Sequence, residues 1–511
     1  MGRKVLAAKS GRVACPNAAA GGGIGAKNAK SFLTGLTGLR EASVKPDKTK
    51  TSGVVWIGDI PEGWEVVPAR HIFEEVTAKN KNGQYTRQLS FRYGEIVDKG
   101  PNQSHNASPE ETILTYTIVE PDTIMINGLN LNYDILSLRV AIVKEIGIIT
   151  SAYLAVVPQG SRIIPLYALY LLKAYDFKMV FHGQGSGIRM TLKFADFAAL
   201  PIVLPPLIEQ KAIAAYLDEK CGAIDEAIVE AKKGIEEYKA WKKSLIFEVV
   251  TGKRRVGFFN AESKCARDEV VGLPERSEPE GLQGAARRRV AEKMKSSGIP
   301  WIGDVPEGWK VMKLKYLIDV LPGYAFKSEG FDFSNGVRLL RGINVGVSSL
   351  KWDECVYWSS VINEELAAYQ IQDGDLIIGL DRPWIADGTR VCFAKKEDLP
   401  CLLVQRVCRL RSLGGVILQI VNYWLSSEGF ESALSCETTG VSVPHISPGQ
   451  IMEFRIALPS LHEQRAIADC LDEKCAAIDA MIAEKEALIA DLEAYKKSLI
   501  YETVTGKREV L

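Results

Sequence analysis

Two stretches of this chain carry apolar residues at alternating steps of four and three. Ile224, Ile228, Ala231, Ile235 and Tyr238 form one row; Ile478, Ile482, Lys485, Ile489 and Leu492 repeat its spacing with a cation at the centre. That spacing lays a narrow stripe along one side of an α-helix, and a narrow stripe on a long helix needs a partner helix. Pro205-Pro206 and Pro459-Ser460 mark the expected starts, because proline suits a first turn, and Gly252 and Gly506 mark the expected stops. Each helix then holds about 43 residues and extends about 65 Å at 1.5 Å per residue. Ahead of each helix, short β-like runs (Thr123–Ile126, Leu376–Gly379, Arg406–Leu410) mix with apolar stretches such as Ile163–Leu172, which suits a buried helix. The mixture predicts a compact α/β domain before each helix.

The pattern is duplicated residue by residue. Ser52–Val66 (SGVVWIGDIPEGWEV) and Ser297–Val311 (SGIPWIGDVPEGWKV) are identical at 11 of 15 positions. Glu209–Val256 and Glu463–Val510 match at 29 of 48, opening on Glu-Gln and closing near TGKR. The middles, 145 residues from Trp64 to Glu209 and 154 from Trp309 to Glu463, do not match. Shared ends around divergent middles indicate two copies of one unit that kept a framework and changed what they read.

These marks divide the chain into an extension over residues 1–50, a variable domain over 51–204, a helical region over 205–255, a polar linker over 256–296, a second variable domain over 297–458 and a second helical region over 459–511. The extension, rich in Gly, Ala and Lys, is expected to be disordered. The predicted fold class is α/β (α+β) variable domains plus long helices, arranged as a pseudo-two-fold internal repeat. The helices pair as an antiparallel coiled coil through Ile224, Ile228, Ile235, Tyr238, Ile478, Ile482, Ile489 and Leu492. Two independent surface helices would be the alternative, but the stripe runs beyond what one domain can cover.

Charge narrows the function. Lys+Arg and Asp+Glu both total 63, so any grip on nucleic acid must come from segregated patches and not from bulk charge. The 10 cysteines lack CxxC pairs, as expected of reduced thiols in a cytoplasmic protein; Cys221 and Cys475, at equivalent positions of the helices, read as small core residues. No apolar run approaches the roughly 18 residues of a membrane span.

Catalytic marks are missing. Gly506-Lys507-Arg508 lacks the glycine spacing and hydroxyl of a P-loop, and GGGIG at Gly21–Gly25 neither follows a strand nor opens a helix. No [DNS]PP[YFW] tetrapeptide of an amino-methyltransferase occurs. The five histidines stand singly, without metal-ligand spacing, and His462 has Ile208 as its counterpart. Binding is therefore the better class.

The candidate binding residues lie in the variable parts. Gly183–Lys193 is a glycine-rich loop in which Ser186, Arg189, Thr191 and Lys193 could meet phosphates or a guanine edge. Thr438, Thr439, Ser442 and His445 occupy the equivalent place in the second repeat. A tight turn ahead of each domain's final strand is the alternative. Arg87, Arg92, Arg338 and Arg341 are further cations that could face DNA. Lys242-Lys243 and Lys496-Lys497 recur in both helices and are expected to be solvated, or to meet a partner or DNA.

WIGDIPEGW and WIGDVPEGW, with LPPLIEQKAIAAYLDEKCGAID and LPSLHEQRAIADCLDEKCAAID, resemble the specificity subunits of type I restriction–modification systems. The resemblance covers nearly everything after about residue 50, in order and twice. It implies a non-catalytic DNA-binding subunit: two target recognition domains each read half of a split sequence, and the antiparallel coiled coil sets their separation. It also implies two methyltransferase (modification) subunits, restriction subunits and double-stranded DNA as partners. S-adenosylmethionine, ATP and Mg would be held by those subunits, with no cofactor, metal or membrane engaged by this chain. The extension and the long charged linker have no counterpart in that pattern. A rod of about 65 Å spans under two turns of DNA at about 3.4 Å per base pair, enough for half-sites about one turn apart. A coiled-coil scaffold without a DNA role and a self-contained DNA modification enzyme are the competing readings.

Overall fold

The computed structural model describes residues 48–99, 110–131, 138–184, 190–256, 293–435 and 444–510. Most of the extension and of the linker lie outside the described residues. The chain forms two compact units, and they are not the two sequence repeats. Unit one takes residues up to Gly234 together with Glu484–Leu511; unit two is Ile235–Ala483. The boundary cuts through both long helices, Leu207–Val250 and Leu461–Val504, each of 44 residues.

In unit one, Thr49–Thr51 pairs with Asp59–Pro61 as an antiparallel hairpin. Ser52 supports the turn, its Oγ accepting from Val54 N at 3.1 Å. Glu65–Pro68 then pairs with Pro201–Leu204, so the strand entering the variable domain is zipped to the strand leaving it. Between them stands an antiparallel four-stranded sheet in the order Phe73–Glu75, Leu154–Pro158, Ile124–Ile126, Val140–Ile142. The helix Pro165–Phe177 follows, with Tyr167, Leu171, Leu172 and Ala174 fully buried. Ile124–Ile126 is buried on both faces, which is why it reads as an unbroken apolar run.

Unit two repeats this frame. Met294–Ser296 pairs with Asp304–Pro306, and Lys310–Lys313 with Arg455–Leu458. Its sheet runs Ile318–Pro322, Val407–Ser412, Leu376–Gly379, Val391–Phe393: the strand order of unit one, built from sequence that does not match. The units differ in what they add. Unit two carries a second four-stranded sheet in which Val337–Leu340 and Cys401–Leu403 run parallel; unit one carries the pairs Leu89–Arg92 with Glu95–Asp98 and Thr117–Val119 with Gly147–Ile149.

The duplicated residues do the same work in each unit. Trp64 Nε1 donates to Glu209 Oε2 at 2.7 Å and Trp309 Nε1 to Glu463 Oε1 at 3.2 Å, tying WIGDxPEGW to the Glu-Gln helix start. Gln210 Oε1 accepts from Ile164 N, and Gln464 Oε1 from Ile417 N, each at 2.9 Å. Tyr170 donates to Asp218 at 3.3 Å, and Tyr423 donates to Asp472.

Within each unit the long helices run antiparallel. In unit one, Lys485 Cε lies 3.1 Å from where a Cβ on Gly234 would stand, and Lys496 binds Asp225 at 2.5–2.7 Å. In unit two, Lys242 binds Asp479 at 2.7 Å, the same repeat pair with the helices exchanged. Lys242 and Lys496 are therefore cross-helix partners and not merely solvated cations. Ile224, Ile228 and Leu492 share one core in unit one, with Ile489 packed on it; Ile478 lies in the core of unit two, with Tyr238 and Ile482 packed on it; Ile235 is buried. Both helices end on glycines with positive φ, Gly252 at +75° and Gly506 at +70°. Arg254 N then reaches Glu248 O and Arg508 N reaches Glu502 O, closing the last turns. No helix among the described residues is long and apolar enough to cross a membrane.

Candidate nucleic-acid interface

The strands Ile124–Ile126 in unit one and Leu376–Gly379 in unit two each run into a short segment that receives the returning arm of the predicted reading loop. In unit one, Leu192 N donates to Gly128 O at 2.9 Å and Leu131 N to Met190 O at 3.1 Å. In unit two, Ile446 N donates to Leu380 O at 2.9 Å and Arg382 N to Pro444 O at 2.8 Å. Thr191 and His445 thus occupy the same place in two unrelated sequences. The arm is paired with the segment that prolongs each of these strands; the loop residues 185–189 and 436–443 ahead of it lie outside the described residues. Gly128 permits the approach: a Cβ there would fall 2.8 Å from Leu192 Cβ.

An arginine holds each segment from behind. Arg139, which is 1% exposed, donates through Nη1 to Asn127 O and Leu129 O, both at 2.9 Å, and its own N donates to Asp176 Oδ2 at 2.8 Å. Arg390 donates from Nη1 to Asp381 O and from Nε to Val345 O, both at 2.9 Å. Both arginines immediately precede the last strand in their sheet's order, in Arg139-Val140 and Arg390-Val391. A dipeptide is too short a signal to find without the strand order, so sequence comparison missed this shared clamp.

The predicted site residues fall differently. Ser186, Arg189, Thr438, Thr439 and Ser442 lie outside the described residues. Thr191 is half-buried on the docking arm, and Lys193 is exposed at its end. His445 Nδ1 lies 2.7 Å from Asp381 Oδ1, an oxygen that Arg406 also approaches at 3.3 Å. Arg92 is exposed on the strand Leu89–Arg92, where its register partner is Glu95.

Three of the candidate arginines are engaged within the chain. Arg87 grips Asp98 with two bonds of 2.7–2.8 Å and also bonds Glu145, so two carboxylates more than neutralise it; the Asp98 carboxyl is held below its ordinary range by those bonds. Arg338 spends its Nη2 on Glu397 O at 2.9 Å and Leu399 O at 3.1 Å while its guanidinium lies 4.6 Å over Trp352. Arg341 donates to Glu354 O at 3.1 Å. Loop carbonyls need donors, and Arg338 and Arg341 supply them as internal braces. Among the described residues no group of three or more His, Cys, Asp or Glu is placed to hold a metal ion.

The geometry defines a class: a tandem-repeat protein whose duplicated helical frame carries two domains that share one strand order in sequences that do not match. Comparison with known proteins places it further. Residues 306–490 match the family described as the type I restriction modification DNA specificity domain. The chain is 26% identical over 454 residues to the type I restriction enzyme MjaVIII specificity subunit of Methanocaldococcus jannaschii, spanning 88% of this chain and 94% of that protein. It is 34% identical over 171 residues to the EcoAI specificity subunit of Escherichia coli, covering 33% of this chain and 29% of that protein. Its fold is shared with a solved chain described under the structural basis underlying complex assembly and conformational transition of the type I R-M system, at TM-score 0.58 and 16% identity, covering 88% and 99% of the two chains. The chain is thus similar to type I restriction enzyme specificity subunits over most of its length, and residues 306–490 carry the match to the DNA specificity domain.

Proposed function

We propose that this chain is the DNA-reading subunit of a type I restriction–modification complex, that it reads a target split into two half-sites, one per variable domain, and that it performs no bond-breaking step itself. The observation that carries this reading is the pairing of sameness and difference. Both domains keep one strand order, one arginine clamp and one docking position for the loop arm, while Thr191 and His445 and the residues around them differ. A scaffold without a ligand has no reason to keep this frame and docking position twice while changing the residues presented there. In this reading the duplicated helices and their Trp-Glu and Gln locks offer equivalent surfaces to two modification subunits, and restriction subunits join the same assembly. S-adenosylmethionine, ATP and Mg belong to those partners.

The test is to sequence the methylated positions of a host with and without the gene. A bipartite methylated motif that disappears with the gene is the expected result. Methylation that persists unchanged, or methyl transfer by this chain alone, would defeat the reading.

A further inference from the structure

The clamped segments hold one exposed, left-handed, non-glycine residue each. Asn130 has φ +50° and Arg382 has φ +44°. Most side chains disfavour that conformation, asparagine less than arginine, and glycine is the residue that adopts it without cost. Both sit two residues past the carbonyl that receives the loop arm, Gly128 in unit one and Leu380 in unit two, and both are exposed. Neither side chain hydrogen-bonds or ion-pairs with a described residue. The surroundings are rigid: Arg139 fixes the two carbonyls around Gly128, and Arg390 fixes the carbonyl immediately before Arg382.

We infer that Asn130 and Arg382 are base-reading residues, one for each half-site. This rests on the DNA-reading function proposed above. Asn and Arg are the side chains whose paired groups match the major-groove edges of adenine and guanine respectively. A left-handed backbone at the tip of a braced segment turns the side chain away from its own sheet, and burial of the clamp prevents the tip from retreating. Residues held in sparsely populated backbone regions concentrate at ligand-contacting sites. Beside Arg382, the Asp381 carboxylate is shared by Arg406 and His445 while Arg390 holds the Asp381 main-chain carbonyl, so three arginines flank one carboxylate at this tip.

The experiment selects DNA from a random duplex pool with the full chain in complex with its modification subunits, comparing wild type with Arg382→Gly, Arg382→Gln, Asn130→Gly and Asn130→Asp. The glycine variants keep the left-handed backbone, so their thermal melting should match the parent. Each substitution is expected to reduce preference at one position of one half-site by roughly tenfold, with the other half-site unchanged. A wild-type motif that all four variants retain base for base would overturn the assignment while leaving the proposed function standing. Loss at both half-sites together would also overturn it, because a reader acts on its own half. A wild-type pool without any enriched motif would defeat the proposed function itself.

Discussion

Gln210 is fully buried, and its carboxamide is saturated: Oε1 accepts from Ile164 N, and Nε2 donates to Arg162 O and Pro205 O, all at 2.9 Å. Removing it strands three backbone groups beneath the helix start. Gln210→Ala should therefore cost about 1–3 kcal/mol per group left without a partner, seen as a lower denaturation midpoint; an unchanged midpoint would refute the lock. The thiols give a pH prediction. Burial pushes Cys392, Cys401 and Cys408 up to about 12, and Cys221 and Cys475 to about 11, from an ordinary 9.0. A raised folded pKa contributes stability that is complete below pH 9 and is lost as pH climbs toward 11–12, because only the unfolded chain ionises easily. Melting temperature should fall across that window. At pH 8, alkylation with mass-spectrometric mapping should mark the half-exposed Cys355 and Cys470 before these five. At this scale the sequence was partly legible. The core reading of Cys221 and Cys475 agrees with their burial. The bracing bonds of Arg338 and Arg341 were not legible, because a free surface arginine and one bracing carbonyls are written with the same letter. Asn130 and Arg382 escaped notice because a positive φ has no letter at all.

The two long helices were the most legible elements, for a physical reason. A stripe sustained over many turns, bounded by Pro and Gly, has few other solutions. The observed spans Leu207–Val250 and Leu461–Val504 begin just past the proline marks and stop two residues short of each glycine. The sheet order was not legible, since strands of three to six residues carry no signal of which neighbour each will choose. The glycines along the helices separate two roles. Gly506 has a positive φ, and a Cβ on it would strike Pro61 Cδ; Gly222 is helical with open space around it, and its repeat counterpart is Ala476. Gly506→Ala should destabilise by more than about 1 kcal/mol, because backbone strain adds to the clash. Gly222→Ala should stabilise by up to about 1 kcal/mol. Thermal shifts of opposite sign test the pair, and shifts of one sign would contradict this placement.

The composition of the two units, each drawing on both repeats, leads to a prediction for half the molecule. Leu492, Leu499, Ile500 and Val504, all at most 1% exposed, come from the second repeat yet belong to the core that holds Ile60 and Trp64 of the first. At about 1.5–3 kcal/mol for each buried side chain they contribute roughly 6–12 kcal/mol, comparable with the whole stability of an ordinary domain. A fragment of residues 48–256 lacks them and cannot fold alone on that account. It does carry Leu245, Ile246 and Val250, which are identical to Leu499, Ile500 and Val504 at equivalent positions, with Tyr238 in place of Leu492. Two copies can therefore exchange helix ends, each filling the other's vacancy, and Lys242 can meet Asp225 as Lys496 does in the full chain. The fragment should be a homodimer by light scattering, with melting that depends on concentration. Ile246→Asp should abolish dimer and cooperative melting together, because the charged group would lie in the exchanged core. A cooperatively folded monomer would show that the first repeat needs no helix end from a second, and the exchange seen here would then be a consequence of linkage and not of packing.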